Sequence, residues 1–180
     1  MADPFAADRR KVVLVPHDPA WVEQAASESV RLAAAIGDTL IRIEHIGSTA
    51  IPGIEAKPTI DLMPIVRSLA DLDMRRSQVE ALGYVWRGEF GFPGRRYCVR
   101  EEGGRRLFHV HCYDTDHSEI ARALNFRDYL RMHPDEARAY EVQKRVAGAA
   151  HPSDTLAYND AKSDWIKACI ARATKWAAAG

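Results

Sequence analysis

A single carboxylate inside an apolar strand is the feature of this chain with the most chemical content. A β-branched run up to residue 46 leads into a small-residue turn at residues 47–49, and the chain returns at residues 59–62 with Asp61 among apolar neighbours. Burying a carboxylate costs several kcal/mol unless it is paired, hydrogen-bonded or bound to a metal. The small-residue turn offers backbone N–H groups to an anion. The segment therefore predicts a phosphate cradle beside a metal-binding or acid/base carboxylate, or else a carboxylate that accepts hydrogen bonds from the turn and fixes its shape.

Two histidines on a later strand are the best candidates to join Asp61. His109 and His111 stand two residues apart, so on a strand both project from one face. Imidazoles there could bind a metal together with Asp61 or transfer protons. The alternative is a pair of hydrogen-bonded or solvent-facing histidines. Asp114 has the opposite parity and is a less suitable partner.

The sequence around these residues resembles a known family. The motifs are HIGSTAIPG with KPTID, the HDPAW opening near Trp21, GFPGRRY, FHVH, NFRDYLRMHP and the closing YNDAKSDWI. On these motifs, which extend over nearly the whole chain, it resembles the GrpB family, whose fold is similar to that of polymerase-β-type nucleotidyltransferases. The resemblance implies an α+β fold with a mixed β-sheet flanked by helices and a C-terminal helical bundle packed on it.

The chain departs from the superfamily pattern at one position. That pattern has a second acid two residues beyond the first, and the two carboxylates hold the paired Mg²⁺ ions of phosphoryl transfer. Here the position is Met63, whose thioether is a poor ligand for a hard cation. This argues against a two-metal mechanism of the usual kind. By resemblance, the strand of His109 and His111 lies where the superfamily carries a later acid, so these histidines could complete the site.

Several basic and small residues are expected to hold phosphate. Lys57 opens the strand of Asp61, while Arg95 and Arg96 follow a Pro-Gly turn, where a guanidinium suits bidentate recognition. Lys162 is placed in the site by resemblance alone. Each cation could equally be a solvated surface charge. The predicted nucleotide-binding set is Gly47, Ser48, Thr49, Lys57, Arg96 and Lys162.

Composition limits the classes of partner. Lys+Arg and Asp+Glu both number 25 among 180 residues, so the net charge is zero, and a nucleic-acid partner is the weakest hypothesis. Three scattered cysteines without a Cys-x-x-Cys motif argue against a disulfide framework. No apolar run is long enough to cross a membrane, which favours a cytoplasmic protein. Composition leaves the oligomeric state open.

Periodicity predicts one domain over residues 1–180. Residues 1–10 are expected to form a loose tail, and strands are predicted at 11–15, 84–87, 96–100 and 107–113. Helices are predicted from Asp18 to a stop at Gly37 and from Ser68 to a stop at Gly83. Residues 118–180 have helical spacing in three segments, 118–132, 134–150 and 154–178.

The predicted function is that of a nucleotidyltransferase-like protein. It would bind ATP or another NTP with Mg²⁺ or Mn²⁺ and transfer a nucleotidyl group to a small-molecule acceptor. Two alternatives remain: a non-catalytic nucleotide- or anion-binding accessory protein, favoured by Met63, and a metal-assisted hydrolase that uses the His-x-His strand.

Overall fold

The computed structural model describes residues 10–179, which form two compact units. The sheet unit comprises residues 18–50 and 59–124, and the helical unit comprises residues 10–17, 51–58 and 125–179. Each unit is assembled from separate stretches of sequence. The single domain over residues 1–180 stays a prediction, and most of the predicted tail, residues 1–9, lies outside the described residues.

The sheet unit is a five-stranded mixed sheet with helices. The strand order is β1-β2-β5-β4-β3, with β2 and β5 parallel and the other neighbours antiparallel. This architecture confirms the α+β class. Its elements are α1 (Ala20–Ile36), β1 (Leu40–Ile46), β2 (Ile60–Val66), α2 (Leu69–Met74), α3 (Arg76–Ala81), β3 (Tyr84–Trp86), β4 (Arg96–Glu102) and β5 (Arg105–Asp114).

Helix α1 begins and ends where the sequence predicts. The Asp18 carboxylate accepts a hydrogen bond from the Ala20 amide at 2.9 Å, which satisfies a donor of the first turn. The helix stops at Gly37, whose φ of 69° is costly for residues with a side chain. Its buried face is spaced at helical intervals and includes Trp21, Ala25, Leu32 and Ile36.

Strand β2 lies inside the sheet and is buried along almost its whole length. Met63 and Ile65 pack with Tyr113 of β5 and with Ile120 in an apolar cluster. Met63 is fully buried, so the position at which the resemblance leads one to expect a second acid is part of the hydrophobic core. An acid at that position would lose its hydration inside this cluster.

The helical unit contains most of the C-terminal third. Helix α4 (Ser118–Met132) starts in the sheet unit, and α5 (Pro134–Ala150), α6 (Thr155–Ala161) and α7 (Ser163–Ala179) follow. A core of Tyr129, Leu130, Tyr140 and Cys169, among others, holds the unit together. None of the helices in residues 10–179 has the length and apolar character needed to cross a membrane.

Three predicted elements differ from the structure. The strand at residues 11–15 is reduced to one bridge, in which Val15 pairs with Ala56. The helix from Ser68 is capped as predicted, since the Ser68 hydroxyl accepts from the Asp71 amide at 3.2 Å, but it breaks at Arg75. Residues 73–78 are all exposed, so no buried contact holds the middle of that helix. The last helix is likewise split, at Lys162.

Candidate functional site

The pairing of β2 with β5 brings the predicted carboxylate and histidines together. Asp61 lies opposite His109 in the parallel register, and His111 follows two residues along β5 on the same face. The nearer carboxylate oxygen of Asp61 is 3.0 Å from Nδ1 of His109 and 3.6 Å from Nε2 of His111. The three side chains are between 21% and 27% exposed, so they are accessible from solvent. The structure therefore contains a compact Asp-His-His cluster.

Gly47 is required by the position of the Asp61 carboxylate. Ile46, the last residue of β1, pairs with Asp61, and Gly47 follows with φ of 71°. A Cβ atom on Gly47 would lie 2.3 Å from the second carboxylate oxygen of Asp61. The backbone thus approaches the carboxylate more closely than any residue with a side chain would allow.

The surroundings of Asp61 keep it ionised. Burial opposes the charge of the carboxylate, but hydrogen bonds from His109 and His111 outweigh this effect and hold the pKa of Asp61 well below its usual range. Burial is the main reason why the pKa of His109 is lowered, against the opposing effect of Asp61. At neutral pH the pair is therefore a carboxylate and a neutral imidazole that donates from Nδ1.

A guanidinium faces the outer nitrogen of each imidazole. Nη1 of Arg106 is 3.4 Å from Nε2 of His109, and Nη1 of Arg95 is 3.5 Å from Nδ1 of His111. The Tyr97 ring lies beside both imidazoles, with centroids 5.8 Å from His109 and 5.1 Å from His111. These neighbours define the orientation of the two rings.

Arg95 is held firmly in this position. Its side chain donates to the carbonyl oxygens of Glu89 at 3.2 Å and Phe90 at 2.8 Å. Its guanidinium lies 4.3 Å from the centroid of the Phe92 ring and 4.7 Å from that of Tyr97. Phe90 itself has φ of 46°, an uncommon conformation for a non-glycine residue, which indicates that the surrounding loop is constrained.

The structure brings together only part of the predicted phosphate-binding set. Gly47 and Ser48 lie next to the cluster, but the Thr49 hydroxyl is buried and lies 2.9 Å from Nε2 of His45. A Thr49 hydroxyl contact to phosphate is therefore disfavoured.

Arg96 was predicted as a phosphate clamp, and the structure places it elsewhere. Its guanidinium forms a bidentate ion pair with Asp73, at 2.6 and 2.7 Å. Residues alternate along β4, so Arg96 projects from the face opposite Tyr97 and the imidazoles. No local sequence pattern sets the register of β4, so the face on which Arg96 lies could not be predicted.

Lys57 and Lys162 occur together in the helical unit. Their ammonium groups lie 5.2 and 4.4 Å from the centroid of the buried Tyr158 ring. Lys162 occupies the break between α6 and α7. Two cations on one aromatic ring form a locally basic surface suited to an anion, and their membership of the nucleotide site stays a prediction.

The Asp-His-His cluster has a donor set suited to one divalent cation. One ligand atom from each of Asp61, His109 and His111 lies within 4.8 Å of the others. Two imidazole nitrogens and one carboxylate oxygen suit Mn²⁺ or Zn²⁺ better than Mg²⁺, which prefers oxygen ligands. With Met63 in the core, this donor set does not fit a pair of Mg²⁺ ions. It fits a single transition-metal ion.

Comparison with solved structures defines the class of fold. A solved structure of the Cid1 poly(U) polymerase with MgGTP bound aligns with a TM-score of 0.51 over 80% of this chain and 45% of that chain, at 12% identity. Similarity at this level concerns the fold alone. The chain thus has a nucleotidyltransferase-like fold.

The family is shown by closer similarities. The family model for GrpB protein matches residues 11–172, and the chain belongs to the GrpB family. The crystal structure of the conserved protein GrpB from Enterococcus faecalis aligns with a TM-score of 0.86 at 38% identity, over 91% of this chain and 98% of that one. UPF0157 protein YqkA of Bacillus subtilis is 40% identical over 93% of this chain and 49% of its own length. UPF0157 protein PA4798 of Pseudomonas aeruginosa is 34% identical over 93% of this chain and 69% of its own. The chain therefore spans about half the length of YqkA.

Two neighbours of the cluster, Arg106 and Tyr97, could not be predicted from the sequence. Tyr97 lies beside the imidazoles because β4 pairs with β5. Arg106 is on the same strand as His109, and it reaches that imidazole where a register shift in the β4–β5 pairing interrupts strand alternation. Arg106 is three residues before His109, which alone suggests no contact on a strand. Arg95 and Tyr97 are two residues apart, which predicts that they share a face. Only the register of β4 with β5 shows that this face is the one that carries the imidazoles.

Proposed function

We propose that the chain binds a nucleoside triphosphate with one divalent cation and transfers the nucleotidyl group to a small-molecule acceptor. The observation that carries this proposal is the convergence of Asp61, His109 and His111 beside the Gly47 turn, on the sheet of a nucleotidyltransferase-like fold. The Cid1 structure with MgGTP bound supports a nucleotide as the ligand of such a fold.

Each group has a role in this proposal. Asp61, His109 and His111 would hold the cation, which supplies charge neutralisation for the phosphates. The backbone around Ser48 would donate to a phosphate oxygen, as small-residue turns do. In the helical unit, Lys57 and Lys162 would attract phosphate through the basic surface on the Tyr158 ring. An acceptor heteroatom attacks the α-phosphorus, the bond to the β-phosphate oxygen breaks, pyrophosphate leaves, and the acceptor's proton passes to water.

The direct test is calorimetric titration of ATP, GTP, CTP and UTP with Mn²⁺, with Mg²⁺ and without metal. Wild type is compared with Asp61→Asn, which keeps the shape of the side chain but removes its charge. We expect Mn²⁺-dependent binding in wild type, weaker by about 100-fold in Asp61→Asn. Failure of folded wild type to bind any nucleotide would refute the proposal. Equal support by Mg²⁺ would argue against imidazole ligands.

A second candidate function, a single-metal hydrolase, is favoured by the donor set itself. Two histidines and one carboxylate, with a water in the fourth position, are a ligand set of catalytic zinc sites. This candidate predicts Zn²⁺-dependent hydrolysis of an activated phosphodiester such as bis-p-nitrophenyl phosphate. Tight nucleotide binding without any turnover would instead support an accessory protein.

The lysine pair gives a separate prediction. Changing both Lys57 and Lys162 to glutamine is expected to weaken ATP binding about tenfold, equivalent to roughly 1.4 kcal/mol, because the basic surface on the Tyr158 ring loses these two cations. ATP titration in the presence of Mn²⁺ measures the effect.

A matched control separates this contact from bulk charge. Lys167→Gln removes a cation from the exposed surface of α7, where Lys167 pairs with Asp164, and should leave ATP affinity unchanged. Equal effects of the lysine pair and of Lys167 would place the pair outside the nucleotide site.

A further inference from the structure

The arginines beside the cluster are hydrogen-bond donors, whereas the usual partners of a metal-bound histidine are acceptors. A histidine that binds a metal through one nitrogen carries its proton on the other, and donates it to a carboxylate, a carbonyl or water. Here the outer nitrogens of His109 and His111 face Arg106 and Arg95 at 3.4 and 3.5 Å. A guanidinium has only donors, so it can support the outer nitrogen only as an acceptor.

This polarity determines which tautomers are stabilised. A neutral imidazole has one donor and one acceptor nitrogen. If the outer nitrogens accept from Arg106 and Arg95, the inner nitrogens carry the protons and donate to Asp61, as the 3.0 Å contact to His109 requires. Those inner nitrogens are the ones that a cation held by Asp61 would need. When the cation binds the inner nitrogens, the protons must move to the outer nitrogens. Each outer nitrogen then presents a donor to a guanidinium that is itself a donor, so both favourable contacts become unfavourable.

Neither arginine can turn away without losing other contacts. Arg95 is 6% exposed, and it donates to two carbonyl oxygens while lying against the Phe92 and Tyr97 rings. The Nε and Nη2 atoms of Arg106 lie 2.8 and 2.7 Å from one carboxylate oxygen of Glu101. The repulsion is thus part of the folded site.

We propose that Arg95 and Arg106 keep the affinity of the Asp61–His109–His111 cluster for a free cation low, so that the cation enters with the phosphates of its nucleotide instead of residing in the protein. Phosphate oxygens supply ligands of their own, and their negative charge offsets the two guanidinium charges. The substrate of the cluster is then the metal–nucleotide complex. The inference rests on the cation site of the proposed function.

The test measures binding of Mn²⁺ and of Zn²⁺ alone, without nucleotide, to wild type and three variants of Arg106. Glutamine offers an oxygen that can accept from the outer nitrogen of His109, methionine removes the charge without offering an acceptor, and lysine keeps charge and donor polarity. We expect weak binding by wild type and Arg106→Lys, and about tenfold tighter binding by Arg106→Gln. Arg106→Met should fall between, because only the charge repulsion is removed.

The comparison of glutamine with methionine separates polarity from charge. Equal gains in these two variants would refute the polarity argument. A resident ion that purifies with wild type in a one-to-one ratio, or no tighter binding by folded Arg106→Gln, would overturn the proposal as a whole. Thermal melts establish that each variant is folded. No nucleotide is present in this test. The nucleotide proposal is therefore tested separately, by the titration of ATP, GTP, CTP and UTP, and the two proposals can fail independently.

A measurement on unmodified protein provides an independent check. Long-range ¹H–¹⁵N correlation spectra of the imidazoles distinguish the two tautomers in metal-free wild type. We expect the Nδ1–H tautomer for His109 and the Nε2–H tautomer for His111. The opposite tautomer at either ring would contradict the proposal.

Discussion

Gly47→Ala is expected to lower the affinity of the Asp61–His109–His111 cluster for Mn²⁺–ATP by at least about 100-fold. The new Cβ would lie 2.3 Å from an oxygen of the Asp61 carboxylate, so that carboxylate must move. Its other oxygen receives both imidazole contacts, and any movement therefore disturbs His109 and His111 as well. The positive φ adds about 1–2 kcal/mol of backbone strain.

Gly53→Ala is the matched control for that substitution. Gly53 also has a positive φ, 77°, but a Cβ there meets nothing within 4 Å. It therefore carries similar backbone strain without contact to a functional group. Titration of Mn²⁺–ATP should show near-normal affinity for Gly53→Ala, and comparable losses in both variants would mean that strain, not displacement of Asp61, is the cause.

Glu28→Ala is expected to lower the free energy of unfolding by about 3–5 kcal/mol, a large part of the stability of an ordinary domain. Glu28 of α1 is 3% exposed, and its carboxylate oxygens lie 2.7 and 2.8 Å from Nη1 of Arg100 on β4. The hydroxyl of Tyr84 on β3 donates to the same carboxylate at 2.8 Å. Burial, followed by the Glu28 charge, raises the pKa of this tyrosine. Removal of Glu28 leaves a guanidinium and a hydroxyl without their buried acceptor.

Urea denaturation measures this loss, with two controls. Glu28→Gln keeps an acceptor for Tyr84 but loses the ion pair, so an intermediate loss is expected. Arg31→Ala removes the partly exposed guanidinium that also contacts Glu28 at 2.7 Å, and should cost less than about 1 kcal/mol. A loss for Glu28→Ala as small as that for Arg31→Ala would show that the buried contacts contribute little.

The sequence was informative where the determining signal is local. The stop at Gly37 and the cap at Ser68 are set by single residues and were predicted correctly. The common face of His109 and His111 on β5 follows from strand alternation. In each case the physical cause lies within a few residues of the effect.

The remainder depends on pairing that no local pattern contains. Arg95 and Arg96 are adjacent in sequence, yet one contacts His111 and the other pairs with Asp73 on the opposite face. Arg106 and His109 share β5, and their contact depends on the register shift in the pairing of β5 with β4. The sequence therefore predicts that basic residues lie near the site. The role of each arginine can be assigned only when the strand register is known.

The parallel contact between β2 and β5 has a consequence for the order of folding. The bond between Asp61 and His109 spans 48 residues, so forming it closes a long loop at a cost of about 3 kcal/mol in chain entropy. Non-local parallel pairings of this kind form slowly compared with hairpins such as β4–β5. During synthesis Asp61 is made well before the strand that carries its imidazole partners. The cluster can therefore assemble only after β5 has left the ribosome. A ligand that binds the cluster would accordingly bind only those chains in which β2 and β5 have paired.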